Sequence, residues 1–375
     1  MTETDVASTI QASSLAVLLE SSGTRHQLMP CHGVLTPREL DARAREIAAL
    51  AHEAAVHDLG WQMRIAVRGE DRFRWLSGMV TNTVNDLGAQ TGAWNLVLNA
   101  QGRIQGDLTI WREHDESGRD ELELEIAADQ YEKLMAHLNR FIIMDDVELV
   151  PLSGECALGL TGPAADDVLG RMGLAKLAEP MTLTRMEWNG LDVRIVRAYG
   201  TLAAHYELWV PKAGLAKLWK FLCTAGATPV GCEALEAFRI AEGIPVYGID
   251  IAERDLAQET SQMRALHFSK GCYLGQEIVE RIRSRGNVHK HLRLLELTGP
   301  VPENGTELTW GGAAAGLITS AAELQLAQGN RVFALGMIRG EAEVRNQTLS
   351  YKADSATGAA RILSEPPVLN QHVSN

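Results

Sequence analysis

Chemistry concentrates first in Ser269-Lys-Gly-Cys-Tyr-Leu-Gly-Gln-Glu277. These nine residues hold a thiol, an amine, a phenol, an amide, a carboxylate and two glycines, and a basic run follows to Arg285-Gly286. Gly271 and Gly275 open backbone conformations closed to other residues and permit a ligand to approach closely. From Gly275 onward, Gln-Glu-Ile-Val-Glu-Arg-Ile-Arg-Ser-Arg predicts a helix with Ile278, Val279 and Ile282 on one face. The reactive types therefore fall in a loop and a first helical turn, where free N–H groups favour anions. Cys272, two residues after Lys270, is placed for a depressed pKa and for service as a nucleophile or a metal ligand. The opposing reading is a small buried residue packing beneath the loop. Lys270, Arg281, Arg283 and Arg285 can hold a carboxylate-rich tail, or can form a solvated face that Glu277 and Glu280 partly neutralise, with Arg285 beside Gly286 the exception. Tyr273 either stacks on a flat heterocycle or packs.

Asp107 is the second candidate. Asn99-Ala-Gln-Gly-Arg-Ile-Gln-Gly-Asp107 sets a carboxylate at the head of an otherwise apolar strand, Leu108 to Trp111. Partial burial there raises a carboxyl pKa and suits proton transfer. The plainer alternative is an edge residue bonded to the neighbouring turn. Arg239, Tyr247 and Asp250 surround a Gly-Ile-Pro turn, where they either line a pocket or tie the loop through an Arg239–Asp250 pair. Nucleotide-binding glycine loops, H-E-x-x-H and G-x-S-x-G are all missing, which removes most of the prior for dehydrogenases, NTPases, zinc proteases and common serine hydrolases.

The elements that must position these residues repeat in order. Residues 1 to about 35 lack periodicity and read as a loose N-terminal arm. Thr36-Pro-Arg-Glu39 matches a capping box with proline at the first helical position, predicting a helix whose apolar stripe runs through Leu40, Ile47, Leu50 and Ala54. Short strands and helices then follow twice in a β-α-β-β-β-α sequence. The second round includes a hairpin whose Asn189-Gly190 turn is of type I′. This gives an α+β fold with a first subdomain over 36–155, completed by 243–288, and a second over 156–242. From 289 to 364 short alternating segments separated by Gly, Pro and Asn predict a C-terminal β-barrel domain, and 365–375, with Pro366-Pro367, a disordered tail.

Composition sets the class. The chain has 375 residues, 46% of them hydrophobic and 22% charged, ample for two or three cores at roughly 150 residues per domain. A net charge of −13 argues against nucleic acid as a partner. The odd set Cys31, Cys156, Cys223, Cys232 and Cys272 contains no C-x-x-C pair and no zinc spacing, so no metal site and reduced thiols are expected. With no basic-then-apolar N-terminus and no run of ~20 apolar residues, the expectation is a cytoplasmic chain with no membrane partner.

The stretch Lys-Gly-Cys-Tyr-Leu-Gly-Gln-Glu resembles the signature of the YgfZ family, folate-binding proteins that support iron–sulfur cluster assembly or repair. They are related to the glycine-cleavage aminomethyltransferase, the T-protein. The resemblance runs from about residue 59 to 350 and includes Ile65-Ala-Val-Arg-Gly-Glu-Asp, Thr81-Asn82, Leu98-Asn-Ala-Gln-Gly102 and Arg239-Ile-Ala-Glu-Gly-Ile-Pro-Val-Tyr-Gly-Ile-Asp250. It implies three domains in a ring around a central tetrahydrofolate channel, with no stably bound metal. It also implies that Lys270, Gly271, Tyr273, Gly275, Gln276 and Glu277 line that channel, with Arg239, Tyr247 and Arg285 as further folate contacts and Cys272 as the critical thiol. Folate and iron–sulfur client or assembly proteins are the implied partners. Two departures bear on activity. Asp107 aligns with the carboxylate that aminomethyltransferases use beside folate, whereas many YgfZ-like proteins lack an acid there, so aminomethyl transfer or demethylation through Asp107 stands as the alternative. The aminomethyltransferase Thr-Gly-Glu segment is matched by Thr201-Leu-Ala-Ala-His-Tyr-Glu207, with Ala203 in place of the pterin-contacting glutamate and Glu207 at a later structural position.

Overall fold

Along Ile104–His114, Ile104, Gly106, Leu108 and Ile110 are buried while Gln105, Asp107 and Thr109 between them are less so, the alternation of a strand with one apolar face. The computed structural model describes residues 10–114, 119–286, 288–343, 348–353 and 356–369. Within them this strand belongs to an eleven-stranded sheet. Its order is Thr228–Val230, Ala55–Asp58, Glu155–Thr161, His205–Pro211, Leu191–Ala198, Thr182–Trp188, Thr91–Leu98, Ile104–His114, Asp120–Ala127, Gln62–Arg68 and Glu148–Leu152. The two α+β halves expected from the repeat are thus fused edge to edge. The join is thin: Thr182 pairs with Thr91, and Gly92 N–H donates to the Met181 carbonyl at 2.8 Å.

Each half has its own apolar core. Leu76, Val97, Ile110 and Leu124 belong to one, and Leu158, Ile195, Leu208 and Leu218 to the other. The hairpin turn is as expected, with Asn189 and Gly190 at φ 51° and 75°, the left-handed pair that a type I′ turn needs. The fold is α+β throughout, and the C-terminal domain is a closed six-stranded barrel: Lys290–Thr298, Gly329–Arg339, Ala313–Leu326, Glu307–Trp310, Leu349–Ala353 and Ala356–Leu363, the last pairing back to the first. Among the described residues no helix is long and apolar enough to cross a membrane.

Three local expectations change. Thr36 and Pro37 do not start a helix; Val34–Pro37 is a strand paired with Leu28–Cys31, and the helix is Arg43–His52. No side chain caps this helix; the buried Glu46 carboxyl instead reaches back to the turn before it, accepting from the N–H groups of Leu40 and Asp41 at 2.7 and 3.0 Å, and ties that turn to Gly231, whose N–H it accepts at 2.9 Å. A capping box is a local signal, and a hairpin pairing outcompeted it. From residue 10 the expected loose arm is folded. Ser13 Oγ caps the Ser14–Ser21 helix by accepting from Ala16 N–H at 3.0 Å, and Leu15 enters the second core; residues 1–9 lie outside the described residues. The tail expected to be disordered from 365 keeps Leu369 buried in a core with Ile47 and Phe238, while 370–375 lie outside the described residues.

Candidate ligand-binding site

The nine-residue loop is bound mainly to its own protein. Lys270 Nζ donates to the carbonyls of Val80 and Asn82 at 2.7 and 2.6 Å, and burial lowers its pKa to about 8. Tyr273 is buried in a core, its ring 5.2 Å below the Lys270 ammonium, and burial raises its pKa to about 12. Gly275 sits at φ 84° before the Gln276–Arg285 helix; a Cβ there would stand 2.6 Å from the Asn99 carbonyl. The close approach that requires this glycine is therefore to the Asn99–Gly102 turn rather than to a ligand. Gly271 faces open space, and Cys272, Glu277 and Arg285 are exposed. Gln276 N–H bonds back to the Tyr273 carbonyl at 3.1 Å. None of Lys270 to Glu277 lines the two cavities described below.

Arg239, expected also as a ligand contact, is an anchor. Its guanidinium meets the carboxylates of Glu236 and Asp250, with Nη1 2.5 Å from Asp250 Oδ2, and donates to the Ile244 carbonyl at 3.0 Å and Ser320 Oγ at 3.1 Å. Asp250 in turn accepts from the hydroxyls of Thr319 and Ser320, fastening the Gly-Ile-Pro turn to the barrel.

Asp107 and Tyr247 do share a cavity. They line a cavity of about 190 Å³ together with His32, Trp94, Glu125 and Gln130. The Asp107 carboxyl accepts from Trp94 Nε1 at 2.8 Å and Gln130 Nε2 at 2.9 Å, while Gln130 Oε1 accepts from the Asp107 backbone N–H at 3.0 Å. Burial pushes its pKa up, against a downward pull from those two donors. Tyr247 hydroxyl meets Lys133 Nζ, whose ammonium also pairs with Glu253. Glu125 on the same wall is held far above the ordinary carboxylate range, first by burial and then by Glu207, the glutamate expected to be structural; Glu207 accepts from Trp209 Nε1 at 3.0 Å.

A second cavity of about 950 Å³ opens between the Cys232–Glu242 helix and the barrel, lined by Tyr199, Thr201, Glu242, Arg264 and Arg293 among others. Trp94 of the smaller cavity connects to it: the Arg264 guanidinium lies 4.2 Å from the Trp94 ring centroid and 3.8 Å from that of Tyr199. Its Nε donates to Gln262 Oε1 at 3.1 Å, and Asn82 Nδ2 donates to its carbonyl at 2.7 Å. Burial lowers Arg264 to about 10, still a cation at neutral pH. Trp94, Gln130, Glu242 and Arg264 were not singled out from sequence. The only cue was Glu242 beside Gly243 in the Arg239 to Asp250 run.

The model of the GCVT N-terminal domain family matches residues 28–270. A chloroplastic protein of Arabidopsis thaliana, provisionally named a transferase, is 26% identical over 334 residues, 86% of this chain and 73% of that one. An aminomethyltransferase of Rubrobacter xylanophilus is 29% identical over 280 residues, 73% of this chain and 74% of its own. In three dimensions the chain is similar to the glycine cleavage system aminomethyltransferase T of Bartonella henselae, with a TM-score of 0.84 at 19% identity over 96% of this chain and 99% of that one.

Proposed function

The chain belongs to the GCVT N-terminal domain family, and from that premise we propose that it is a YgfZ-type tetrahydrofolate-binding protein of the cytoplasm that supports iron–sulfur cluster assembly or repair through Cys272. The observation that carries this reading is a separation: the cavities hold the acid and the guanidinium, while the thiol stands exposed outside them. A thiol on an exposed loop is reachable by a protein partner, as an accessory role requires. The two neighbouring cavities suit a folate: Arg264 and Tyr199 line the one of about 950 Å³, a volume suited to a drug-sized ligand, and the half-buried Asp107 carboxyl and Trp94 line the one of about 190 Å³. Tetrahydrofolate, when bound, supplies amine nitrogens that carry a one-carbon unit. Burial favours a proton on the Asp107 carboxyl, which Trp94 and Gln130 orient. The test is complementation of a deletion strain with wild type and Cys272→Ala, scored by iron–sulfur enzyme activity under oxidative stress. Loss with the variant supports the role, and normal activity in the deletion strain overturns it.

The raised Asp107 carboxyl favours a second reading, a folate-dependent aminomethyltransferase or demethylase in which Asp107 moves the proton. It requires turnover of a methylamine or aminomethyl-lipoyl donor by the purified protein with tetrahydrofolate, lost in Asp107→Asn. No turnover with either donor removes it.

A further inference from the structure

Two thiols that lie far apart in the sequence meet in the fold, and neither is the thiol of the exposed loop. Cys31 ends the Leu28–Cys31 strand, just before a turn in which His32 and Gly33 hold φ of 45° and 86°. Cys232 opens the Cys232–Glu242 helix. The chain leaving the hairpin is fastened to that helix start. Glu233 N–H donates to the Arg38 carbonyl at 3.2 Å, and its carboxylate accepts from Arg38 Nε at 2.7 Å. Gly231 lies so close that a Cβ there would stand 2.2 Å from the Arg38 carbonyl oxygen. Cys31 and Leu235, which is one turn into the helix, pack against the same core of Trp61 and Trp209. In this corner the Cys31 and Cys232 thiols are hydrogen-bond partners.

The contact is chemically uneven. The hydrogen bond from Cys31 lowers the Cys232 pKa against the opposing effect of burial, and the Thr36 hydroxyl and the helix-start N–H of Cys232 act in the same direction as Cys31. The same contact, followed by burial, raises the pKa of Cys31. Cys31 is half-buried, whereas Cys232 is only 4% exposed. One residue is thus the more reachable, and the other carries the better leaving sulfur. Those are the two properties that let a disulfide open and close by exchange.

We propose that Cys31 and Cys232 form a redox-modification site, a dithiol that a small-molecule disulfide closes to a protein disulfide and that a small thiol reopens. In closing, Cys31 gives up its proton and attacks one sulfur of the small disulfide. The S–S bond of that molecule breaks, and one small thiolate leaves. Cys232, also deprotonated, then attacks the Cys31 sulfur of the mixed disulfide, and the second small thiolate leaves. Two protein thiols are oxidised and one small disulfide is reduced to two thiols, which take up the two protons. In opening, an external thiolate attacks Cys31 and Cys232 leaves. Neither tetrahydrofolate nor Cys272 takes part. The new bond ties the hairpin tip to the helix start, and His32, next to Cys31, lines the cavity of about 190 Å³, so closure fixes backbone that carries part of that wall.

The experiment holds the full chain in mixtures of reduced and oxidised glutathione of graded ratio, blocks the remaining thiols with N-ethylmaleimide and maps the peptides by mass spectrometry. A peptide pair joining Cys31 to Cys232, about 2 Da lighter than its two reduced members together, is expected to grow as oxidised glutathione rises and to vanish on return to reduced glutathione. Cys232→Ser should leave Cys31 carrying glutathione, because the sulfur that expels it is gone. Peptides of Cys31 and Cys232 that stay unlinked in wild type at the most oxidising ratio overturn the proposal, and this arm needs no variant to fold. A link that forms only in urea overturns it as well, since the folded contact then contributes nothing. A folded Cys232→Ser protein whose Cys31 takes up no glutathione overturns the entry of the oxidant at Cys31.

Discussion

Two regions of this molecule invert each other. The Ser269–Glu277 stretch is dense in reactive residue types yet spends most of them on packing: Lys270 on two backbone carbonyls, Tyr273 in a core, Gly275 on a turn. The cavity walls gather Asp107, Gln130, Glu242 and Arg264 from distant parts of the chain. Density of reactive types in sequence therefore marked a structural knot with one free thiol. The proposed ligand site is assembled instead from residues that only the fold brings together.

That contrast can be broken by substitution. The largest expected effect is Asp107→Ala, which removes the acceptor of Trp94 and Gln130 and should weaken tetrahydrofolate by on the order of 100-fold in calorimetry. An unchanged affinity would place the ligand elsewhere. Lys270→Met should act in the opposite way, leaving the Val80 and Asn82 carbonyls unmet and lowering stability by about 2 kcal/mol in denaturant melts, with ligand affinity unchanged. Weakened ligand binding at full stability would return the loop to the site. Gly275→Ala forces a side chain into a left-handed position against the Asn99 carbonyl and should cost roughly 1–3 kcal/mol in the same melts.

The acidity of Asp107 gives a smaller, signed effect. Its folded pKa is raised above the ordinary value of 3.8, so the folded state binds more protons as pH rises from that value. Its contribution to stability is present below that pH and lost as pH climbs through the folded pKa. Asp107→Asn should flatten the stability profile in this window, and an unchanged slope would count against a buried acid. The smallest effect is expected at Arg285→Ala, an exposed side chain, at under about 0.5 kcal/mol and without effect on ligand affinity.

Alternation and turn chemistry were legible where neighbours in sequence are neighbours in space. The Asn189-Gly190 hairpin and the strand bearing Asp107 follow from local patterns, and so does the β-rich character of the C-terminal domain. Thr36-Pro37 misled because a helix-start signal competes with strand pairing that no local window contains. Asp107 was found because a carboxylate in an apolar strand breaks its period. Arg264 and Glu242 were missed because an arginine in a loop and a glutamate before glycine break no pattern.

The sequence by itself determined the α+β class, the barrel, the acid at Asp107 and the thiol at Cys272, since each rests on residue type and short-range spacing. Only the tertiary structure decided that the two halves share one sheet, that Lys270 and Arg239 are anchors, and that Glu242 and Arg264 face one cavity. The physical reason is that a hydrogen bond left unmade is a property of surroundings: whether a charge is spent or free depends on which distant backbone and side-chain groups the fold brings within 3 Å of it.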